Sequence, residues 1–214
     1  MNPCRLDGVS RILCLGAHAD DIEIGCGGAL LRWVRERPNL EICWVVFSAR
    51  GDRKQEARAS ARAFLKGKGK QRVVLKDFKD SFFPSELERI KESFEELKGK
   101  IQPDVIFTHY REDRHQDHRV LSDLTWNTFR NHLILEYEIP KYDGDLGAPN
   151  CFVELQPDLC EEKTRNICTY FQTQSNKHWL SADTFMALMR LRGIECASRT
   201  KYAEAFYCRK LLLK

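Results

Sequence analysis

The chain has no long hydrophobic run. None of its apolar stretches approaches the ~20 residues that a bilayer-spanning helix needs. The first of them, residues 12–16, is too short for the apolar centre of a secretory leader, and residues 1–5 (MNPCR) are no better. There is no CxxC pair among nine cysteines, which speaks against a zinc ribbon or a thioredoxin-type site. The odd count, with Cys14 and Cys43 inside apolar runs, fits a reduced, cytoplasmic protein better than a disulfide scaffold. A dominant charge is lacking too. Lysine and arginine number 35 against 31 acids, leaving +4 over 214 residues, without the crowding of cations on one face that marks a nucleic-acid binder. Neither nucleic acid nor membrane is expected as a partner. With no repeat and no linker, residues 1–214 read as one domain.

What is present is a core-forming composition, 43% apolar and 31% charged, arranged in alternating patterns. Residues 11–17 (RILCLGA), 41–48 (EICWVVFS), 72–75, 104–108 (DVIFT) and 133–137 read as strands. Between them, helical spacing of apolar residues predicts helices over 25–37, 54–66, 84–98 and from His118 to about Arg130. Further strands are expected at 150–154 and 205–209, with helices at 157–171 and 182–191 between them. Regular alternation of strand and helix predicts an α/β, Rossmann-like fold, a mostly parallel sheet with helices on both faces. Gly25-Cys26-Gly27-Gly28 lacks GxGxxG spacing after the first strand and reads as close helix–sheet packing. The basic run Lys66, Lys68, Lys70, Arg72 reads as a solvated loop at the far end of the sheet.

Two polar clusters follow the first and fourth strands, where open α/β sheets gather ligands. One is Gly16-Ala-His18-Ala-Asp20-Asp21-Ile-Glu23; the other is Asp113-Arg-His115-Gln-Asp117-His118. His18 and Asp21, three apart in a turn, with His118 from the opposite loop, make two imidazoles and one carboxylate. That set leaves a fourth position open, as catalytic zinc sites do, and zinc there brings the pKa of a bound water to ~7. Asp20, between ligand positions, is a candidate general base. The bland alternative makes it a helix cap. His115 is placed to stabilise an oxyanion, and Asp117 to hold that imidazole in its tautomer and keep it cationic. His109, His132 and His178 have no partners at ligand spacing and read as structural. The donor set suits iron(II) as well as zinc.

These motifs, GAHADDIEIG over 16–25 and HQDH over 115–118, resemble those of the LmbE-like, or PIG-L-type, zinc-dependent N-deacetylases. The resemblance continues through Arg53-Lys-Gln-Glu56-Ala57, through PDVIFTH over 103–109, and through YAEAF over 202–206. The family's pattern usually has proline at the position of Ala19 and often at that of Gln116, neither of which is asked to do chemistry. The resemblance implies removal of an acetyl group from an N-acetylglucosamine-type amino sugar or its conjugate, a small-molecule substrate. It assigns zinc to His18, Asp21 and His118, the base to Asp20, and the oxyanion to His115 with Asp117 behind it. It also implies a substrate contact for Arg53, against the plain reading of a surface arginine paired with Glu56 or Asp52. The loop 48–52 is shorter than in many relatives. Its part of the pocket wall would be left open, or supplied by residues 137–149 or by a neighbouring subunit of a homo-oligomer. Three other readings stay open: a zinc amidase for a non-sugar amide, a Rossmann-like binding module without hydrolysis, and a zinc-bearing interaction protein that has lost catalysis.

Overall fold

A computed structural model describes residues 6–212; residues 1–5, read above for the absence of a leader, lie outside the described residues. The elements run β1 (Arg11–His18), α1 (Asp21–Glu36), β2 (Glu41–Ser48), α2 (Asp52–Leu65) and β3 (Lys70–Leu75). They continue with a 3-10 turn (Phe83–Glu86), α3 (Leu87–Lys100), β4 (Val105–His109), α4 (Gln116–Thr128) and β5 (Leu133–Tyr137). The last part holds β6 (Cys151–Leu155), α5 (Pro157–Tyr170), a second 3-10 turn (Gln172–Gln174), α6 (Ala182–Glu195) and β7 (Tyr202–Cys208). The seven strands form one sheet in the order β3-β2-β1-β4-β5-β7-β6. The first five in that order are parallel to one another, and β7 runs antiparallel to both its neighbours. This is the expected α/β architecture. No helix among the described residues is long and apolar enough to cross a membrane.

Alternation along the strands divides the core between two faces. From β1, β2 and β4, Ile12, Cys14, Ile42, Trp44, Val46, Val105 and Phe107 face one cluster, with apolar residues of α1, α2 and α5. The intervening Leu13, Leu15, Cys43, Val45, Phe47 and Ile106 face the other, which α3 and α4 cover through Ile90, Phe94, Leu97, Leu121 and Leu124. Strands buried on both sides need continuous apolar runs, as these are.

Strand order reverses between β1 and β4, which pair directly through Ile12 with Val105 and Cys14 with Phe107. The two polar clusters therefore open at neighbouring strand ends. Helix α1 begins at Asp21, four residues before the apolar periodicity suggests, because Asp21, Ile22 and Glu23 form its first turn. It can lie close on the sheet because of its glycines. A Cβ on Gly25 would stand 2.2 Å from the Tyr137 ring, on Gly27 2.6 Å from Phe64, and on Gly28 2.5 Å from Leu155. The expected helix–sheet packing is met at Gly25 and Gly28, against β5 and β6, whereas Gly27 makes room for Phe64 of helix α2. Farther along α1, Glu204 of β7 accepts from the amides of Gly28 and Ala29, both at 2.7 Å, while Lys163 of α5 donates to Glu204 and to the Ile24 carbonyl, both at 2.6 Å.

Gly25→Ala is expected to cost about 1–3 kcal/mol through overpacking against Tyr137. Gly99→Ala, on α3 where an added Cβ meets nothing within 4 Å, is expected to be stabilising by up to about 1 kcal/mol. Urea unfolding midpoints of the two variants check both signs.

Candidate metal centre at the β1 and β4 strand ends

Asp21 organises the site. Its Oδ2 accepts the His18 backbone N–H at 2.6 Å, which closes the turn between β1 and α1. That turn aims both side chains toward His118, on the first turn of α4. His18 Nδ1 lies 3.2 Å from His118 Nε2 and 3.4 Å from Asp21 Oδ2, and His118 Nε2 lies 3.6 Å from Asp21 Oδ1. Ligand atoms on a tetrahedral ion with bonds of about 2.0–2.1 Å stand roughly 3.3 Å apart. The three residues anticipated from spacing are brought side by side, with His18 and His118 facing different oxygens of Asp21; single donor atoms also converge from His18, His115 and His118, and from Asp21, His109 and His118. His118 is oriented from behind: its Nδ1 is 2.9 Å from Asp113, which also accepts from Lys141 at 2.9 Å and from the His115 amide at 2.8 Å. A carboxylate behind a ligating imidazole is a common second partner in metal sites.

Burial, with repulsion from His109, pushes His118 down to about 3, so its imidazole is neutral and has a lone pair to offer. Burial would also lower His18, but Asp21, Asp117 and Asp80 outweigh it and raise that ring well above its ordinary value. Burial would raise Asp21, yet His118, His109 and His18 hold it well below the carboxylate range. Five carboxylates, from Asp20, Asp21, Asp80, Asp113 and Asp117, share the centre with two permanent cations, Arg53 and Lys141. The surplus of negative charge suits a divalent cation.

Asp20 occupies the N-cap position of α1 but makes no capping bond through its side chain. Its Oδ1 instead accepts from Arg53 Nη2 at 3.1 Å, and burial raises its carboxyl above the ordinary range despite that arginine. Arg53 also faces Asp80 at 3.6 Å. The plain reading of Arg53 as a partner of Glu56 does not hold, since both Glu56 oxygens accept from Thr173.

The pairing expected between His115 and the Asp117 carboxylate is not what the chain builds. Asp117 accepts from the amides of Ser81 at 2.6 Å and Phe83 at 3.1 Å and lies 3.2 Å from His18 Nε2. It is the backbone N–H of Asp117 that donates to His115 Nδ1, at 3.2 Å, as the N-cap of α4. That bond leaves the ring proton on Nε2. Burial and His18 lower the His115 pKa, so the ring is neutral rather than held cationic.

Three residues at the centre carry no role in the sequence reading. His109, read as merely structural, is fully buried beside the site. Its Nε2 accepts from Ala17 N–H at 3.0 Å and lies 3.2 Å from Asp21, and its ring stacks on His118 at 3.9 Å. Asp113 was visible as the first residue of the second cluster, five before a ligand position. Asp80 is far from both motifs and gave no signal. Two other segments of the chain border the centre beside loop 48–52. Residues 77–83 reach the centre through Asp80, Ser81 and Phe83, and residues 138–150 reach it through Lys141.

A family model described as PIG-L, GlcNAc-PI de-N-acetylase, matches residues 13–129, which hold both motifs. The chain belongs to the PIG-L family. YaiS of Escherichia coli strain K12, described as an uncharacterized deacetylase, is 32% identical over 179 residues, spanning 78% of this chain and 89% of that protein. Among solved structures, the N,N'-diacetylchitobiose deacetylase of Pyrococcus horikoshii matches with a TM-score of 0.71 at 21% identity, over 94% of this chain and 84% of that one. GalB of Pseudomonas putida KT2440, a 4-carboxy-2-hydroxymuconate hydratase, matches equally well at 0.71 and 16% identity, over 96% and 98%. A deacetylase and a hydratase on one fold show that the fold alone does not choose the chemistry of a PIG-L member.

Zinc at a hundredfold excess over its dissociation constant is expected to stabilise the folded chain by roughly 2.7 kcal/mol. His118→Ala is expected to abolish that gain. Thermal unfolding with and without the metal measures it.

Proposed function

We propose that this PIG-L member is a metal-dependent N-deacetylase acting on an N-acetylglucosamine-type amino sugar or its conjugate, with zinc, or iron(II) in its place, held by His18, Asp21 and His118. The observation that carries the reading is the convergence of these three donors at 3.2–3.6 Å with a buried, uncapped Asp20 beside them. The family assignment and the deacetylase names of YaiS and the chitobiose enzyme support the reaction class, and the latter supports an acetylated sugar. A divalent ion in this set supplies Lewis acidity to a carbonyl and brings water's pKa to ~7.

The chain's own groups do the rest. Asp20 takes the proton from the attacking water and passes it to the amine that departs, since an amide nitrogen leaves poorly until protonated. Arg53 holds Asp20 in place and lines the rim where the sugar enters. His115 presents Nε2–H to the oxygen that gains charge, with its tautomer fixed by the Asp117 amide. Asp113 keeps the His118 ring turned toward its fellow donors. The working compartment is the cytoplasm, in keeping with the buried thiols of Cys14, Cys26 and Cys43.

Asp20→Asn keeps the shape and removes the base. It is expected to hold its metal and lose a factor of ~10² or more in acetate release. His115→Ala, likewise metal-loaded, is expected to lose roughly 10²–10³-fold. Near wild-type turnover by the Asp20 variant overturns its assignment, and loss of metal by the His115 variant makes His115 a ligand.

A further inference from the structure

We propose that Arg192, on α6 and outside both motifs, is a positioning residue for the metal centre: it ties down both ends of the segment 138–147, which in turn holds Asp113 and the chain leading into α4. Arg192 is only 3% exposed. Its Nε and Nη2 form a fork on Glu138, both at 2.7 Å. Nη2 also donates to the Gly147 carbonyl at 3.1 Å, and Nη1 donates to the two Glu195 oxygens, both at 2.8 Å. These bonds use all five N–H groups of the guanidinium. One side chain thus joins the first residue after β5 to a residue shortly before β6.

Between those ties the segment turns outward at Tyr142, which is exposed, and at Gly144, whose φ is 62°. Its polar contacts run inward. Lys141 donates to Asp113 Oδ2 at 2.9 Å and also to Asp145, and Asp145 accepts the Arg114 amide at 2.7 Å. Asp113 meets His118 Nδ1 through the same Oδ2, at 2.9 Å, and takes the His115 amide on Oδ1 at 2.8 Å. The ligand His118 and the two residues that lead into its helix are therefore set against a segment whose placement Arg192 fixes. Displacing that segment pulls Lys141 from Asp113 and frees the carboxylate that orients the ligand ring. A lysine cannot replace the arginine here. Its ammonium is a single point with three donors, and it cannot span a carboxylate fork, a second carboxylate and a carbonyl together.

The inference rests on His118 holding the metal of a deacetylase, and its test reads metal affinity and backbone exchange as well as turnover. Arg192→Lys keeps a cation beside Glu138 and gives up the fork. In equilibrium dialysis of the full chain it is expected to bind zinc about tenfold or more weakly, and at zinc saturation to lose kcat on a similar scale, the usual effect of losing an outer partner in a metal site. Lys141→Met is expected to do the same. Because Arg192 acts through Lys141, the double variant is expected to be no worse than the more impaired single, whereas independent damage multiplies. Hydrogen–deuterium exchange of Arg192→Lys is expected to quicken in residues 138–147 and 113–118 and to stay unchanged in β1 and β2. Glu138→Gln, which opens the fork from the other side, is expected to repeat these effects and serves where the lysine variant does not fold. Zinc affinity and kcat unchanged in both Arg192→Lys and Glu138→Gln, multiplied losses in the double variant, or exchange that quickens throughout the sheet overturns the positioning role. Wild-type protein that binds zinc yet releases no acetate overturns the deacetylase reading instead, and zinc affinity and exchange then decide on Arg192.

Discussion

Everything at the centre turns on a carboxylate placed where water does not reach. Asp21 is nearly inaccessible and lies against three imidazoles while accepting the His18 amide. A buried carboxylate without compensation costs several kcal/mol, so its neighbours are constrained to be donors or cations. The backbone bond to His18 fixes the turn, the turn fixes the first residue of α1, and α1 carries Asp20 into place beside the site. His18, His109 and His118 answer the charge from three different elements. The same demand for positive charge explains why this end of the sheet suits a divalent ion.

The fold serves that arrangement through close approach. Parallel strands β1 and β4 place two loops side by side, and glycines 25, 27 and 28 let α1 lie directly on Tyr137, Phe64 and Leu155. Tyr137 in turn donates to the Leu15 carbonyl at 2.6 Å and touches His109 at 3.2 Å, so the packing of α1 is coupled to the floor of the centre. The Lys163–Glu204 pair holds the middle of the same helix, with Glu204 beside Leu155 at Gly28. A helix held this firmly can present Asp20 without a capping bond of its own.

Much of this was legible in the sequence because it is local or periodic. Apolar runs gave the strands, the three-residue spacing of His18 and Asp21 gave two donors, and the HQDH run gave the third. What stayed hidden depends on tertiary approach. Asp80 lies about sixty residues from the first motif by number, in a loop without periodicity, and is brought in by the chain after β3, which stays bonded to the end of β2 through the Ser48–Asp77 bridge and the Phe78 amide to the Phe47 carbonyl. His109 ends a strand, where an isolated histidine is ordinarily part of the core. The partner of His115 differs from the one its spacing suggests for a finer reason. His115 and Asp117, two positions apart in the motif, meet through a main-chain amide, while the Asp117 carboxylate turns toward the loop at Ser81 and Phe83. Side-chain spacing says nothing about such backbone capping.

Because the same fold carries a hydratase in GalB, the central claim concerns bond cleavage and not architecture. The most direct measurement is mass analysis of products after the zinc-loaded chain meets a panel of N-acetylated amino sugars, with a chelated sample alongside. The account requires equal amounts of acetate and free amino sugar, formed only with metal present. Addition of water to an unsaturated substrate with the N-acetyl group left intact, or acetate release that persists undiminished after chelation, contradicts it.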